Sequence, residues 1–528
     1  MSGDKLTYRE RFSFGFGDLA SCLYWQTFMV YLTFFYTDVF GISALAAGAM
    51  LGLSRSLDAF FDPVMGMMAD RTQTRWGKFR PYLLWFCVPM AVAGVLTFTT
   101  PGAGVSAKLL EWFGEPVRAG CGVLAGGFDW LSRATEWTKS VHLGFVHTII
   151  ADLATQAGNL KGDVTGGLIW AILTYNLLMI LYTAINIPYT AMLGVISPNP
   201  NERTTLSSFK FGSAFSAGII VSATLLFLAK GLGGGNPQRG WQLAFVIVGV
   251  AVVGLFLTTF FNTKERVNPP KEQKTSVLRD LGDLVTNWPW LILVFTTLTF
   301  ILFVAVRSSV TTHYFKYFVG TREVWLPFIG TKTYEFEWLV SAFNTTGQFA
   351  SLLGAVLVPF YAKRIGRKLA FMTLFVVAIL CTASYYFLKP DQVWLILGIN
   401  LIGSITGGPL SALIWVMYAD TADYAEWKKG RRATGLVFSA SIFSQKQGWA
   451  IGAAIGLGLL SSVGFQANAV QTPEALNGLV RLMSTIPCYF GIASIIFVIL
   501  YPLNEKKVAE IGAALKARRI AAGEEPAS

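Results

Sequence analysis

The densest chemistry in the sequence lies in Ser54-Arg55-Ser-Leu-Asp58-Ala-Phe-Phe-Asp62-Pro63, where three charged side chains interrupt an apolar run. Asp58 and Asp62 are one turn apart on the same face of a helix, and Arg55 precedes Asp58 by three residues. Burying a charge in a bilayer costs about 2.5–3.5 kcal/mol on insertion scales, so two carboxylates there require a compensating cation. A permanent pair with Arg55 is the bland reading, yet one guanidinium cannot neutralise both. A travelling Na⁺ or H⁺ completes the balance, because carboxylate oxygens suit a hard cation. Asp58 and Asp62 are the expected cation site, and the metal ligands if the ion is Na⁺; no resident cofactor is expected.

Other polar residues in apolar segments matter as sets. Asp18, Cys22 and Gln26 follow a four-residue spacing beside Tyr24 and Trp25, which makes a polar stripe able to face a cavity. Tyr175, Tyr182, Asn186 and Tyr189 surround Pro188, Arg307 stands alone, and Gln445, Lys446 and Gln447 are consecutive. Such groups hold sugars, with hydrogen bonds to hydroxyls and aromatic faces under the ring C–H surface. Singly, each is more often packing or an interhelical hydrogen bond. Lys446 is harder to dismiss, since a buried ammonium needs a partner.

The elements that position these groups are membrane-spanning helices. Of 528 residues, 53% are hydrophobic and 14% charged, against roughly a quarter charged in soluble domains. Apolar stretches of about 20 residues, each sufficient to cross a bilayer, recur throughout. They predict an all-α polytopic membrane protein with twelve spans, near 12–38, 43–69, 80–100, 166–193, 208–231, 241–262, 288–311, 338–362, 368–388, 392–418, 434–463 and 477–501. A charged linker at 263–287 separates a six-helix half, 1–262, from a second, 288–502, with a tail at 503–528 that reads as a basic helix on the inner leaflet. Most of the 42 Lys and Arg residues fall in alternate loops on the side of both termini, which places both ends in the cytoplasm. The formal charge of +12 thus reflects topology, not nucleic-acid binding. The five cysteines are scattered and imply no disulfide framework or metal site. The N-terminus shows no cleavable signal pattern.

One region, Pro101–Gly166, departs from this rhythm: an external insertion with short amphipathic stretches at Lys108–Phe113 and Phe145–Asn159, none able to span. A lid or docking cap is one reading, a lineage-specific ornament the default. His142 and His147 are five residues apart and do not share a helical face as a metal pair would.

Gly66-Met-Met-Ala-Asp70-Arg71-Thr-Gln-Thr-Arg75 after the second span has a faint echo in Ala362-Lys363-Arg364-Ile-Gly366-Arg367-Lys368 after the eighth. Two six-helix halves with such turns resemble the major facilitator superfamily, whose substrates bind near the midplane between the halves. Phe14-Gly-Phe-Gly-Asp18, Phe35-Tyr-Thr-Asp-Val-Phe-Gly41, Asp58-Ala-Phe-Phe-Asp62-Pro-Val-Met-Gly66, Arg75-Trp-Gly-Lys-Phe-Arg-Pro81, Asn186-Ile-Pro-Tyr189, Ala419-Asp-Thr-Ala-Asp-Tyr424, Glu426-Trp-Lys428 and Gln445-Lys446 narrow this. Together they resemble the glycoside/pentoside/hexuronide:cation symporters, the family of the melibiose permease.

The resemblance covers roughly 8–100 and 166–505. It implies symport of a sugar with Na⁺ or H⁺ by alternating access, in a monomeric carrier of the bacterial inner membrane. By position, Asp58 and Asp62 match the family's cation-site carboxylates and Lys446 its lysine in the eleventh span. The permease's two galactoside-binding carboxylates fall on Cys22 and Asn186, and its stacking tryptophan on Thr190, so a melibiose-like galactoside is not implied; Asp18 stands one turn before Cys22 as a substitute. Lys210 and Arg307 would suit an acidic sugar. Asp70, Arg71, Arg75, Asp420 and Asp423 read as an inner gate of salt bridges, or as topogenic charge. A lipid or lysolipid carrier of the same fold is the alternative. A membrane enzyme or sensor is the third reading, disfavoured because HExxH, Walker-type GxxxxGK[ST] and a catalytic GxSxG context are missing.

Overall fold

The computed structural model describes residues 6–134, 136, 162–197, 200–266, 286–326, 330–429 and 434–521. In chain order the helices are α1 (Tyr8–Val30), α2 (Ala44–Arg71), α3 (Arg80–Thr97), α4 (Ala103–Ala134), α5 (Gly166–Val195), α6 (Pro200–Gly233), α7 (Pro237–Asn262) and α8 (Trp288–His313). A two-stranded antiparallel hairpin follows, β1 (Arg322–Leu326) and β2 (Gly330–Tyr334). Then come α9 (Phe336–Ile365), α10 (Arg367–Ser384), α11 (Val393–Gly407), α12 (Leu410–Lys429), α13 (Thr434–Ser462), α14 (Pro473–Met483), α15 (Thr485–Leu500) and α16 (Glu505–Ala521). Among the described residues, eight helical segments are long and apolar enough to cross a membrane. The α2 segment, with its buried charges, is not one of them.

Local sequence explains the boundaries. Thr7, Ser43, Thr165 and Asn236 cap α1, α2, α5 and α7 by accepting a backbone N–H of the first turn. The first helix of each half ends alike: Phe35–Phe40 and Tyr314–Val319 are π-helical turns, closed by Gly41 and Gly320 at positive φ. Two predicted spans are interrupted. The 392–418 segment breaks at Gly408-Pro409 into α11 and α12, because proline cannot donate to the helical ladder, and 477–501 is divided at Ser484 between α14 and α15. In the insertion, Lys108–Phe113 belongs to a 32-residue helix that runs through Pro116. Phe145–Asn159 and His142 and His147 lie outside the described residues.

The chain divides into two compact units. The first comprises Met1–Pro270, Ser308–Thr345 and Ala453–Leu482. In it α1 packs on α6 and α7, α3 on α5 and α7, and α2 on α5. Glycine sets the closest approach of α1 to α6: a Cβ at Gly15 would lie 2.6 Å from Ser213 Oγ. Tyr24, Phe35, Phe98, Trp241 and Phe245 form its aromatic core, with Phe98 stacked on Phe245. The second unit comprises Lys271–Arg307, Thr346–Gly452 and Met483–Ser528. There α10 packs on α11, α12 and α15 around Phe300, Phe371, Phe375, Met417 and Tyr418. All five cysteines are free, as the scattered spacing implies.

Candidate functional site

The site lies in the first unit, along the seam between α2 and α5. Ser54, Asp58 and Asp62 are spaced by four residues and therefore share one face of α2. From α5, Asn176 Nδ2 donates to Ser54 Oγ at 2.9 Å. Seven residues on, Thr183 Oγ1 lies 2.8 Å from Asp58 Oδ1 and 3.4 Å from Asp62 Oδ1. Three oxygens thus converge: two carboxylates and a hydroxyl that has one proton to donate between them. Asp58 is buried, 3% exposed, and Asp62 is half-buried. Arg55, also buried, donates from Nε to the Tyr175 hydroxyl at 3.2 Å and from Nη2 to the Phe28 carbonyl at 3.3 Å. Its guanidinium thus reaches neutral acceptors on α5 and α1.

On α1, Asp18 and Cys22 meet Tyr189 of α5 and Lys210 of α6. Cys22 Sγ donates to Asp18 Oδ2 at 3.8 Å, and Lys210 Nζ lies 3.8 Å from Asp18 Oδ1 and 5.5 Å above the Tyr189 ring. Tyr189 is buried and donates to the Phe14 carbonyl at 2.7 Å, packed so closely on Gly17 that a Cβ there would lie 2.3 Å from the ring. Trp25 stacks on Tyr182. Gln26 and Asn186 are half-buried and Thr190 is exposed. In the second unit, Arg307 donates to Asn400 Oδ1 at 3.2 Å and lies over the Tyr385 ring, and Lys446 is half-buried on α13.

Of the expected gate residues, Arg71 and Arg75 are exposed, Arg75 stacking on Trp76; the Asp70 side chain lies outside the described residues. Asp420 pairs with Arg367 of α10 at 2.9 Å, and Arg367 also binds Glu505 of α16 at 2.9 Å, so this group ties three helices within one unit. Asp423 is half-buried one turn on.

Several residues with a clear structural role left little trace in the sequence. Thr183 is one, because a threonine in an apolar helix usually bonds its own backbone. Glu265 is another: its carboxylate accepts the backbone N–H groups of Lys78, Phe79 and Arg80 at the start of α3, which explains the Arg75-Trp-Gly-Lys-Phe-Arg-Pro81 motif. Gly77 there has φ +113°, and a Cβ would lie 2.5 Å from the Glu265 carboxyl carbon. The third is a cluster beyond the end of α1. Buried Asp38 accepts from Lys316 Nζ at 2.7 Å and from the Tyr317 hydroxyl and faces His313 Nε2 at 3.2 Å, while Asn468 Nδ2 donates to its backbone carbonyl. A cavity of about 460 Å³ opens beside it, lined by Phe34, Lys230, Trp241, Lys316, Phe336 and Glu337 among others.

The sequence model of the MFS/sugar transport protein family matches residues 13–114 and 159–505. The chain belongs to that family. Among its relatives are an isoprimeverose transporter of Lactiplantibacillus pentosus, 33% identical over 92% of this chain and 87% of that protein, and a putative glycoside/cation symporter of Escherichia coli K12, 31% identical over 98% and 97%. The fold agrees with that of a D-xylose–proton symporter, with a TM-score of 0.54 at 12% identity over 93% of this chain and 95% of that one. As an MFS/sugar transport protein the chain is a multi-pass membrane carrier, not an enzyme. The part of the insertion between 115 and 158 is not covered by the family model.

Proposed function

We propose that this protein carries a sugar across the membrane by symport with Na⁺ or H⁺, and that Asp58, Asp62 and Thr183 hold the ion. The observation that supports this most is the convergence of both carboxylates on one hydroxyl in the packed seam of α2 and α5. A cation there neutralises α2 and strengthens its packing on α5. Coupling then follows from linkage, since whatever the ion adds to sugar affinity the sugar adds to ion affinity. The relatives' names favour isoprimeverose or another glycoside. Lys210 already faces Asp18, which favours a neutral glycoside over an acidic one; Asp18, Cys22, Gln26 and Asn186 are the sugar-facing candidates of this unit, with buried Tyr189 behind them. The basic loops support a topology with both termini in the cytoplasm of a bacterial cell.

The test is Asp62→Asn in proteoliposomes. Gradient-driven accumulation should vanish while sugar exchange persists; accumulation that stays fully coupled would falsify the ion assignment. A thermal-shift screen of glycosides and uronides, with and without Na⁺ at two pH values, identifies the ligands, because a ligand of the folded state raises apparent stability.

A further inference from the structure

The helix α4 of the insertion has three faces. At about 100° per residue, Val105, Trp112, Val123 and Trp130 fall within about 20° of one another. All four are exposed, Trp112 at 64%, Val123 at 77% and Trp130 at 69%. Gly114, Cys121 and Ser132 project from the opposite side and are buried. Lys108, Glu111, Glu115, Arg118, Asp129 and Arg133 gather on one flank between the two, with Arg118 paired to Glu115 at 2.7 Å and Arg133 to Asp129. A helix between protein and water needs only two faces; the third, apolar and exposed, calls for a third medium.

We propose that this face of α4 lies in the bilayer surface, with the acyl boundary as its occupant. The root of the helix is at the right level. It follows the end of α3 after Pro101-Gly102, and its first turn touches the start of α5, where a Cβ on Gly166 would lie 1.9 Å from the Ser106 carbonyl oxygen. The helix α5 that it touches is itself apolar and exposed at Leu173, Leu177 and Ile180, within a segment long and apolar enough to cross a membrane. Trp112 and Trp130 are 18 residues apart, roughly 27 Å along the axis, and tryptophan favours the headgroup boundary. The residues do not suit a second helix. A helix–helix seam needs a regular knob every three or four positions, whereas Pro116 and Gly126 interrupt this one; fluid lipid tolerates the irregular spacing. The six charges sum to zero, so attachment is apolar and independent of anionic lipid.

The test places a photoreactive side chain on each exposed face of the full-length protein, Val123→p-benzoylphenylalanine and Glu111→p-benzoylphenylalanine, in vesicles of phosphatidylcholine alone and with phosphatidylglycerol. Irradiation followed by mass spectrometry should give phospholipid adducts at position 123 several-fold above those at 111, with equal yield in the two lipids. Adducts to a second copy, equal labelling of both positions, or a yield that requires phosphatidylglycerol would overturn the assignment. The readout is a lipid adduct, so it stands or falls separately from sugar transport, and ligand-dependent thermal unfolding of each variant verifies its fold.

Discussion

Thr183 carries the sharpest consequence at the scale of single residues. Its hydroxyl from α5 bridges Asp58 and Asp62, and a hydrogen bond to a charged group contributes about 1.5–3 kcal/mol. Thr183→Val keeps the shape and removes the bond. Cation activation of uptake is expected to weaken about 10- to 150-fold, with sugar exchange retained; unchanged ion dependence would remove Thr183 from the site. Asp58 and Asp62 were legible because charge in an apolar run is conspicuous. Thr183 was not, since its role depends on which face of α5 meets α2.

At the scale of elements, loops act as clamps on helix ends. Glu265 fastens the chain after α7 to the start of α3, and Gly77 makes the space. Gly77→Ala adds strain of about 1–3 kcal/mol at a positive φ and crowds the carboxylate, so the thermal midpoint of the purified protein should fall. Glu505 offers a pH-dependent counterpart on the tail helix α16. Its hydrogen bond to Arg367 holds its carboxyl below the ordinary glutamate range. A depressed acid stabilises the docked state above its unfolded pKa and loses that contribution as pH falls through the folded value. The contribution of Glu505 to docking of α16 should therefore be complete at neutral pH and lost in acid, below the ordinary value of about 4.3, leaving the helix held by buried Ile511 and Leu515 and more easily released. Limited proteolysis after Leu503 measures it, and Glu505→Gln should be cleaved at neutral pH as the parent is in acid.

For the whole molecule, alternating access requires contacts that form and break. The Asp38 cluster joins segments from three stretches of the sequence, 35–40, 313–319 and the loop at Asn468. Asp38→Asn leaves Lys316 without its charged partner and should favour opening at that end. Ala229 lines the cavity beside the cluster and is buried, so labelling of a cysteine introduced by Ala229→Cys with an impermeant maleimide should become faster than in the parent carrying the same cysteine. Equal rates would show that the cluster is structural only.

The sequence by itself determined the class of molecule and the carboxylate pair, because hydropathy, helical period and the cost of buried charge are local properties that any neighbours would preserve. The family motifs were also readable, but not their reasons: Gly77 needed Glu265 from 188 positions away in the chain. Tertiary structure alone decided the rest. It divided the apolar run at Ser484, carried α4 through Pro116, and joined Asp420 to Arg367 within one unit. Those outcomes depend on which faces pack together, and a distance between two side chains has no counterpart in the order of residues.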